Sequence, residues 1–198
     1  MTPVVLASKS ASRQAILRAA GVPFEVVGSG VDEDGAKARL LADGRGPREI
    51  ADRLAEAKAV AVSRALPGAI VVGADQTLDL GGVLYDKVAT LSEGRARLRT
   101  LRGRSHLLHS AVVVAQHGTP IWRYLESPRL VMRAASDTFI DAYLTRHGEA
   151  LLGSVGVYQL ENDGVQLFDQ IEGDYFAILG LPLHPLLALL RDKGALAT

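Results

Sequence analysis

Residues 4–17, VVLASKSASRQAIL, decide how the rest of the chain is read. Val4-Val5-Leu6 is a short apolar, β-branched run, long enough for a buried strand and too short for a helix. The small hydroxylated residues Ser8, Ser10 and Ser12 follow at once. Arg13 then opens a segment with Ile16, Leu17 and Ala20 at helical spacing, closed by Gly21 and by Pro23 just beyond. Strand, small-residue turn, helix is a unit whose helical N–H groups and dipole favour an anion in the turn. A serine hydroxyl and an arginine fork at the same place suit phosphate oxygens. The plainer alternative is an ordinary strand-to-helix connection with Ser10 as N-cap and Arg13 solvated.

Outward from that unit, the sequence predicts one domain over residues 1–198. Phe24 to Val27 reads as a second strand that exits through Gly28-Ser29-Gly30 into the acidic Val31-Asp32-Glu33-Asp34. Residues 35–46, with three glycines and mixed charge, read as a mobile loop. Pro47 sits where a helix would start, and Ile50, Leu54, Ala57 and Ala61 repeat on one face up to Leu66, with Lys58 at the edge of that face. Ala69 to Val72 is the most strand-like run and leads into Gly73-Ala74-Asp75-Gln76. Strand–helix–strand spacing to this point predicts parallel crossovers and an α/β sheet.

The second half predicts hairpins and short helices. Leu78 to Leu80 and Val83 to Tyr85 flank a two-glycine turn and deliver Asp86-Lys87. Thr90 to Glu93 has capping-box spacing ahead of a helix with Leu91, Leu98 and Leu101. Leu107 to Ala115 and Ile121 to Leu125 form a second hairpin turning at residues 117–120, extended by Arg129 to Arg133. Ser136 caps a helix, a glycine-punctuated stretch runs from Gly153 to Gln159, and Val165 to Ile171 and Tyr175 to Leu179 read as strands. An apolar helix spans about Pro185 to Leu190. The predicted architecture is a mixed, mostly parallel α/β sheet in two lobes.

Composition removes several function classes. Lys+Arg and Asp+Glu both number 22, a formal net charge of +0, so no global field draws the chain to nucleic acid or an acidic membrane. The absence of cysteine rules out disulfides and thiolate zinc sites. The N-terminus lacks the basic flank and apolar core of a signal peptide, and no apolar run nears the ~20 residues of a membrane span. A cytoplasmic protein with no membrane partner is the expectation. No phosphate-loop motif, dinucleotide fingerprint, G-x-S-x-G elbow or H-E-x-x-H occurs. The five histidines are scattered and read as structural or exposed. The arginines of residues 95–104 lack an interleaved aromatic and read as a solvated, charge-balanced face rather than a nucleic-acid patch.

In open α/β sheets, ligands gather beyond the carboxyl ends of strands. Those ends offer Ser8 and Arg13, then Asp32 and Glu33, then Asp75 and Gln76, with Lys58 and Lys87 nearby. Carboxylates for a hard metal and cations for phosphate make an inventory suited to phosphoryl chemistry. Each also has a structural reading: Asp75 as a turn cap, the lysines as solvated, residues 31–34 as a charged loop.

Taken together the motifs resemble the Maf-like nucleotide pyrophosphatases, from about residue 4 to residue 191. The pieces are LASKSASR, VDE at 31–33, LAEAKA at 54–59, GADQTL at 73–78, LRGRSH at 101–106 and IEGDYFAILGLPL at 171–183. The resemblance implies a two-lobed α/β fold, similar to that of inosine triphosphatases, with the active-site cleft between the lobes. It implies a cytoplasmic enzyme that splits nucleoside triphosphates between the α- and β-phosphates with a divalent cation, Mg2+ or Mn2+. By position, Asp75 matches the family's proton acceptor. Ser8, Arg13, Lys58 and Lys87 match its phosphate-handling residues, Glu33 an acidic residue associated with the metal, and Gln159 the approach to the nucleobase. Dimers are common in the family, so a homodimer is expected. Two departures stand out: Gln14 replaces a second basic residue, and Asp86-Lys87-Val88 replaces the usual glycine–lysine–proline. Ala74 to Gln76 resembles the branch favouring 7-methylguanosine triphosphate, and Gly156 to Gln159 the branch taking thymidine and uridine triphosphates. The competing readings are a non-catalytic nucleotide-binding regulator of cell division acting through a protein partner, and a triphosphatase of the inosine-triphosphate type.

Overall fold

The computed structural model describes residues 2–197. The opening unit is present: strand β1 (Val4–Leu6) feeds helix α1 (Ala11–Ala19), and β2 (Glu25–Val26) returns parallel to β1. The segment 35–46, expected to be a mobile loop, is instead mostly helix α2 (Glu33–Ala42). None of its residues is buried, so it has no apolar stripe for a periodicity argument to find. Its start is set by Asp32, whose side chain accepts from the Gly35 N–H. Gly44, at φ +74°, supplies the left-handed residue that ends it, and Gly46 is the N-cap of the next helix.

That helix, α3 (Pro47–Ala65), crosses back to β3 (Ile70–Leu80), which pairs parallel with β1. β3 does not stop at the Gly73-Ala74-Asp75-Gln76 exit expected from the sequence. It continues for 11 residues, so Asp75 and Gln76 lie in mid-strand. Gly73 is a site of close approach rather than a break. A Cβ there would fall 2.2 Å from the Ala55 carbonyl oxygen and 2.6 Å from the Ala59 nitrogen of α3. The Gly81-Gly82 turn, with φ +66° and +86°, brings β4 (Val83–Tyr85) back along β3.

Helix α4 (Leu91–Leu101) starts on the Thr90/Glu93 capping box. β5 (Ser105–Gln116) then lies antiparallel to β3 over nine residue pairs. β6 (Thr119–Glu126) pairs with the end of β5 across a turn of His117 and Gly118, and β7 (Arg129–Met132) pairs with its start. The arginines of α4 are balanced by α5 (Asp137–His147): Arg95 pairs with Asp141, and Arg99 and Arg102 with Asp137.

Two predicted strands change character. Asp163–Leu167 is a 3-10 turn that precedes β8 (Phe168–Glu172), and Tyr175–Ile178 is one helical turn, α6, capped by Asp174. The Asp174 side chain accepts from the Ala177 N–H at 2.8 Å, a local bond that outcompetes strand pairing. Helix α7 (Leu183–Asp192) closes the chain. The sheet is mixed, in the order β2-β1-β3-β5-β7-β8, with β4 on β3 and β6 on β5. Its parallel pairs are β1 with β2 and with β3, and the remaining pairs are antiparallel. No helix among the described residues is long and apolar enough to cross a membrane.

The apolar residues collect in two main cores that share the two longest strands. Ile70, Val72 and Ala74 of β3 and Val112 and Val114 of β5 pack with α1 and α7. Leu78, Leu80 and Leu108 pack with α4, α5 and β7. Between them, Asp75, Gln76, Thr77, His109 and Ser110 interrupt the apolar run of both strands. The cleft opens at that interruption.

Candidate active site

Asp75 projects from the centre of β3 and is 8% exposed. Its Oδ1 accepts a 2.7 Å hydrogen bond from Lys58 Nζ, while Oδ2 makes no hydrogen bond among the described residues. Lys58, on the fourth turn of α3, is 5% exposed and reaches Asp75 because Gly73 lets α3 settle directly on β3. The same ammonium lies 2.8 Å from Oε2 of Glu33, the first residue of α2. One buried cation thus joins carboxylates from two separate elements. Burial raises the Asp75 pKa above the ordinary carboxylate range; Lys58 and Arg13 oppose that shift and Glu33 adds to it.

Arg13, on the first turn of α1, is 8% exposed. Its Nε donates to the Gly180 carbonyl at 2.9 Å and its Nη1 to Ser8 Oγ at 3.1 Å. Nη2 makes no hydrogen bond among the described residues. Burial lowers the Arg13 pKa against the pull of Asp75 and Glu33, and the guanidinium stays charged. The N-cap residue Ser10 makes no side-chain hydrogen bond to the first-turn N–H groups of α1.

Lys87, past the end of β4, keeps contact with solvent at the cleft mouth. Partial burial, then the nearby Arg13 charge, lowers its pKa; Asp75 and Glu33 oppose that shift and Lys58 adds to it. The adjacent Asp86 does not pair with Lys87. Its Oδ1 accepts from Lys37 of α2 at 2.6 Å, across the mouth.

Ser8, Arg13, Glu33, Lys58, Asp75, Lys87 and Gln159 all line one cleft of 1060 Å³. The Gln159 side chain, however, is engaged within its own segment. Its Nε2 donates to the Ala150 carbonyl at 3.3 Å and its Oε1 accepts from Asn162 at 3.0 Å. Lys9, Lys37, Tyr158 and Glu161 also line the cleft and were not singled out from the sequence. Lys9 stood inside the quoted first motif and Glu161 lay two residues past Gln159, so position was the available signal. Gln76 is spent structurally, donating to Ser110 Oγ and to the carbonyls of Ala177 and Ile178.

The two walls differ in chemistry. The wall from β1, α1, α2, α3 and the loop after β4 carries the cations. The wall from residues 150–161 carries none, offering Val155, Tyr158, Gln159, Leu160 and the single carboxylate of Glu161. No group of three or more His, Asp or Glu side chains set to hold a metal ion occurs among the described residues. The pair Glu33 and Asp75 still fits a hard divalent ion, because such ions are held by one or two carboxylates when phosphate oxygens and water complete the shell.

The family model described as Maf-like protein matches residues 3–193. A Caulobacter vibrioides protein named nucleoside triphosphate pyrophosphatase is 63% identical over 196 residues, covering 99% of this chain and 98% of that one. A Maricaulis maris protein of the same name is 52% identical, covering 99% of each chain. A Rhizobium meliloti protein named 7-methyl-GTP pyrophosphatase is 46% identical, covering 98% of this chain and 97% of that one. With a family model spanning nearly its whole length, the chain belongs to the Maf family.

Proposed function

We propose that this protein hydrolyses nucleoside triphosphates to the monophosphate and pyrophosphate, by water attack at the α-phosphorus. The observation that carries this reading is the buried Lys58 ammonium shared by Asp75 and Glu33, with Arg13 and Lys87 beside the same carboxylate. The names of the Caulobacter, Maricaulis and Rhizobium relatives support the substrate class.

Asp75 Oδ2 accepts the proton of the attacking water. Its raised pKa makes it a stronger base than an exposed carboxylate, and Lys58 and Arg13 oppose that rise. Arg13, anchored through Nε and Nη1, presents Nη2 to a phosphate oxygen without having to be ordered first. Lys58 and Lys87 take up charge that develops on the phosphates, and the N–H groups opening α1 add fixed dipoles. Glu33 and Asp75, completed by phosphate oxygens, would hold Mg2+ or Mn2+. Such an ion, when bound, withdraws charge from the oxygens around the reacting phosphorus. The triphosphate lies along the cationic wall, which leaves the base to the wall of residues 150–161.

Purified protein is incubated with ATP, GTP, CTP, UTP, dTTP and 7-methyl-GTP in Mg2+, and pyrophosphate and monophosphate are measured. Stoichiometric release of both supports the reading. Release of orthophosphate and the diphosphate, or binding without release, overturns it.

A further inference from the structure

The cation-free wall of the cleft is held by two features that a core built only for stability would avoid. Val157 is a β-branched residue at φ +59°, in the left-handed region, and it is wholly buried. Such a residue persists there only when its surroundings over-determine it, and strain of this kind gathers at functional sites. His106, on β5, is 2% exposed, and its Nδ1 has no hydrogen-bond partner among the described residues. Buried polar atoms without partners are rare and need a reason.

Both features act on Tyr158. The His106 Nε2 lies 2.7 Å from the Tyr158 hydroxyl. Gly156, just before Val157, presses on the same ring, so closely that a Cβ there would come 2.1 Å from Cε1. Val157 itself packs against Gly94 of α4, where a Cβ would lie 3.0 Å from Val157 Cγ1. The next backbone N–H, that of Gln159, donates to Tyr143 Oη at 3.1 Å. Because the Gln159 amide is already bonded to Ala150 and Asn162, the surface offered to a base is set by the shape of this segment, not by a side chain free to adapt.

We propose that His106 and Val157 are positioning residues for base discrimination: His106 through the Tyr158 hydroxyl, and Val157 through its left-handed backbone, lock the wall that the nucleobase meets. Neither touches the substrate. The ligand class is a planar purine or pyrimidine that lies against this segment of the wall, its phosphates held elsewhere. This rests on the pyrophosphatase reading above.

The test separates base from phosphates. Tyr158→Phe keeps the ring and removes its bond to His106; Val157→Gly removes the strain of the left-handed backbone together with the side chain packed on Gly94, and serves as an independent variant. For each, kcat and KM are measured on the triphosphate panel, together with inhibition by inorganic tripolyphosphate, which has no base. KM for the preferred triphosphate is expected to rise about tenfold, with the ratio of kcat/KM between best and worst base falling about as much. kcat should stay within about threefold, and tripolyphosphate inhibition within about twofold, of the wild type. An unchanged base ratio in both variants, or KM and tripolyphosphate inhibition moving together, overturns the inference while leaving the pyrophosphatase reading intact. A wild-type protein that releases pyrophosphate from none of the triphosphates overturns both.

Discussion

Lys58 on α3 and Asp75 on β3 are joined by a 2.7 Å hydrogen bond at the boundary between two hydrophobic cores. Separating their roles needs variants that keep the site's shape. Asp75→Asn removes the base but leaves Lys58 its second partner, Glu33. Turnover is expected to fall on the order of 10²–10⁴-fold with the fold retained. Lys58→Met removes the cation that lowers the Asp75 pKa, so that pKa rises further. The acid limb of the pH–kcat/KM profile should then move to higher pH, in addition to a loss of rate. Pyrophosphate release within tenfold of wild type by Asp75→Asn would remove Asp75 as the base.

Gly73 is the condition for that hydrogen bond. The place of a Cβ at this position is taken by the backbone of Ala55 and Ala59, neither of which can rotate away. Gly73→Ala must therefore push α3 off β3, at a cost of about 1–3 kcal/mol of stability. The displaced helix carries Lys58, so activity should fall by more than the loss of folded protein accounts for. Thermal unfolding and kcat measured on the same preparation check both. A variant with normal activity and an unchanged Tm would show that α3 tolerates the shift.

Lys37 and Asp86 join α2 to the loop after β4 across the cleft mouth. α2 buries none of its own residues yet contributes Glu33 to the site, so this pair and the Glu33–Lys58 contact hold its position. The Asp86 carboxylate is 56% exposed, and exposed pairs of this kind contribute about 0–1 kcal/mol. Asp86→Gly should leave Tm unchanged and raise KM about two- to fivefold, the ratio that such an energy permits. The KM of the wild type should rise more steeply with added salt than that of Asp86→Gly. Equal salt dependence in the two proteins would show that the pair does not hold α2.

What the sequence revealed follows from what kinds of pattern the elements carry. β1, α1, α3 and the glycine hairpin announce themselves by apolar period or turn chemistry, and the cationic and acidic residues next to them could be nominated from that frame. α2 has no apolar face to announce it, and its glycines at 35, 44 and 46 serve as cap partner, terminator and N-cap while resembling a loop. The length of β3 was hidden because Gly73 looks like an exit when it is a point of contact with α3. The Tyr158–His106 pair was invisible for a different reason: its members are 52 residues apart, and nothing local to either implies the other. Gln159, nominated by resemblance, does line the cleft, but its amide is committed to its own loop.

His106 also gives the protein a pH signature separate from catalysis. Burial pushes its pKa down from an ordinary 6.5 to about 4. Between those values the unfolded chain binds a proton that the folded protein refuses, so stability is complete above pH 6.5 and is lost as pH falls toward 4. At about 1.4 kcal/mol per pH unit, the gap amounts to about 3 kcal/mol. Asp75 has the opposite sign: its raised pKa means the folded state holds the proton more tightly, so its contribution is full at low pH and is lost as pH rises through the folded pKa. Denaturant unfolding of the wild type and His106→Phe at several pH values from 4 to 7 distinguishes the two groups. The variant should lose less stability than the wild type as pH falls across that window, because the refused proton is gone while Asp75 remains. If both proteins lose the same stability between pH 6.5 and 4, other groups carry the acid sensitivity and His106 is protonated without penalty.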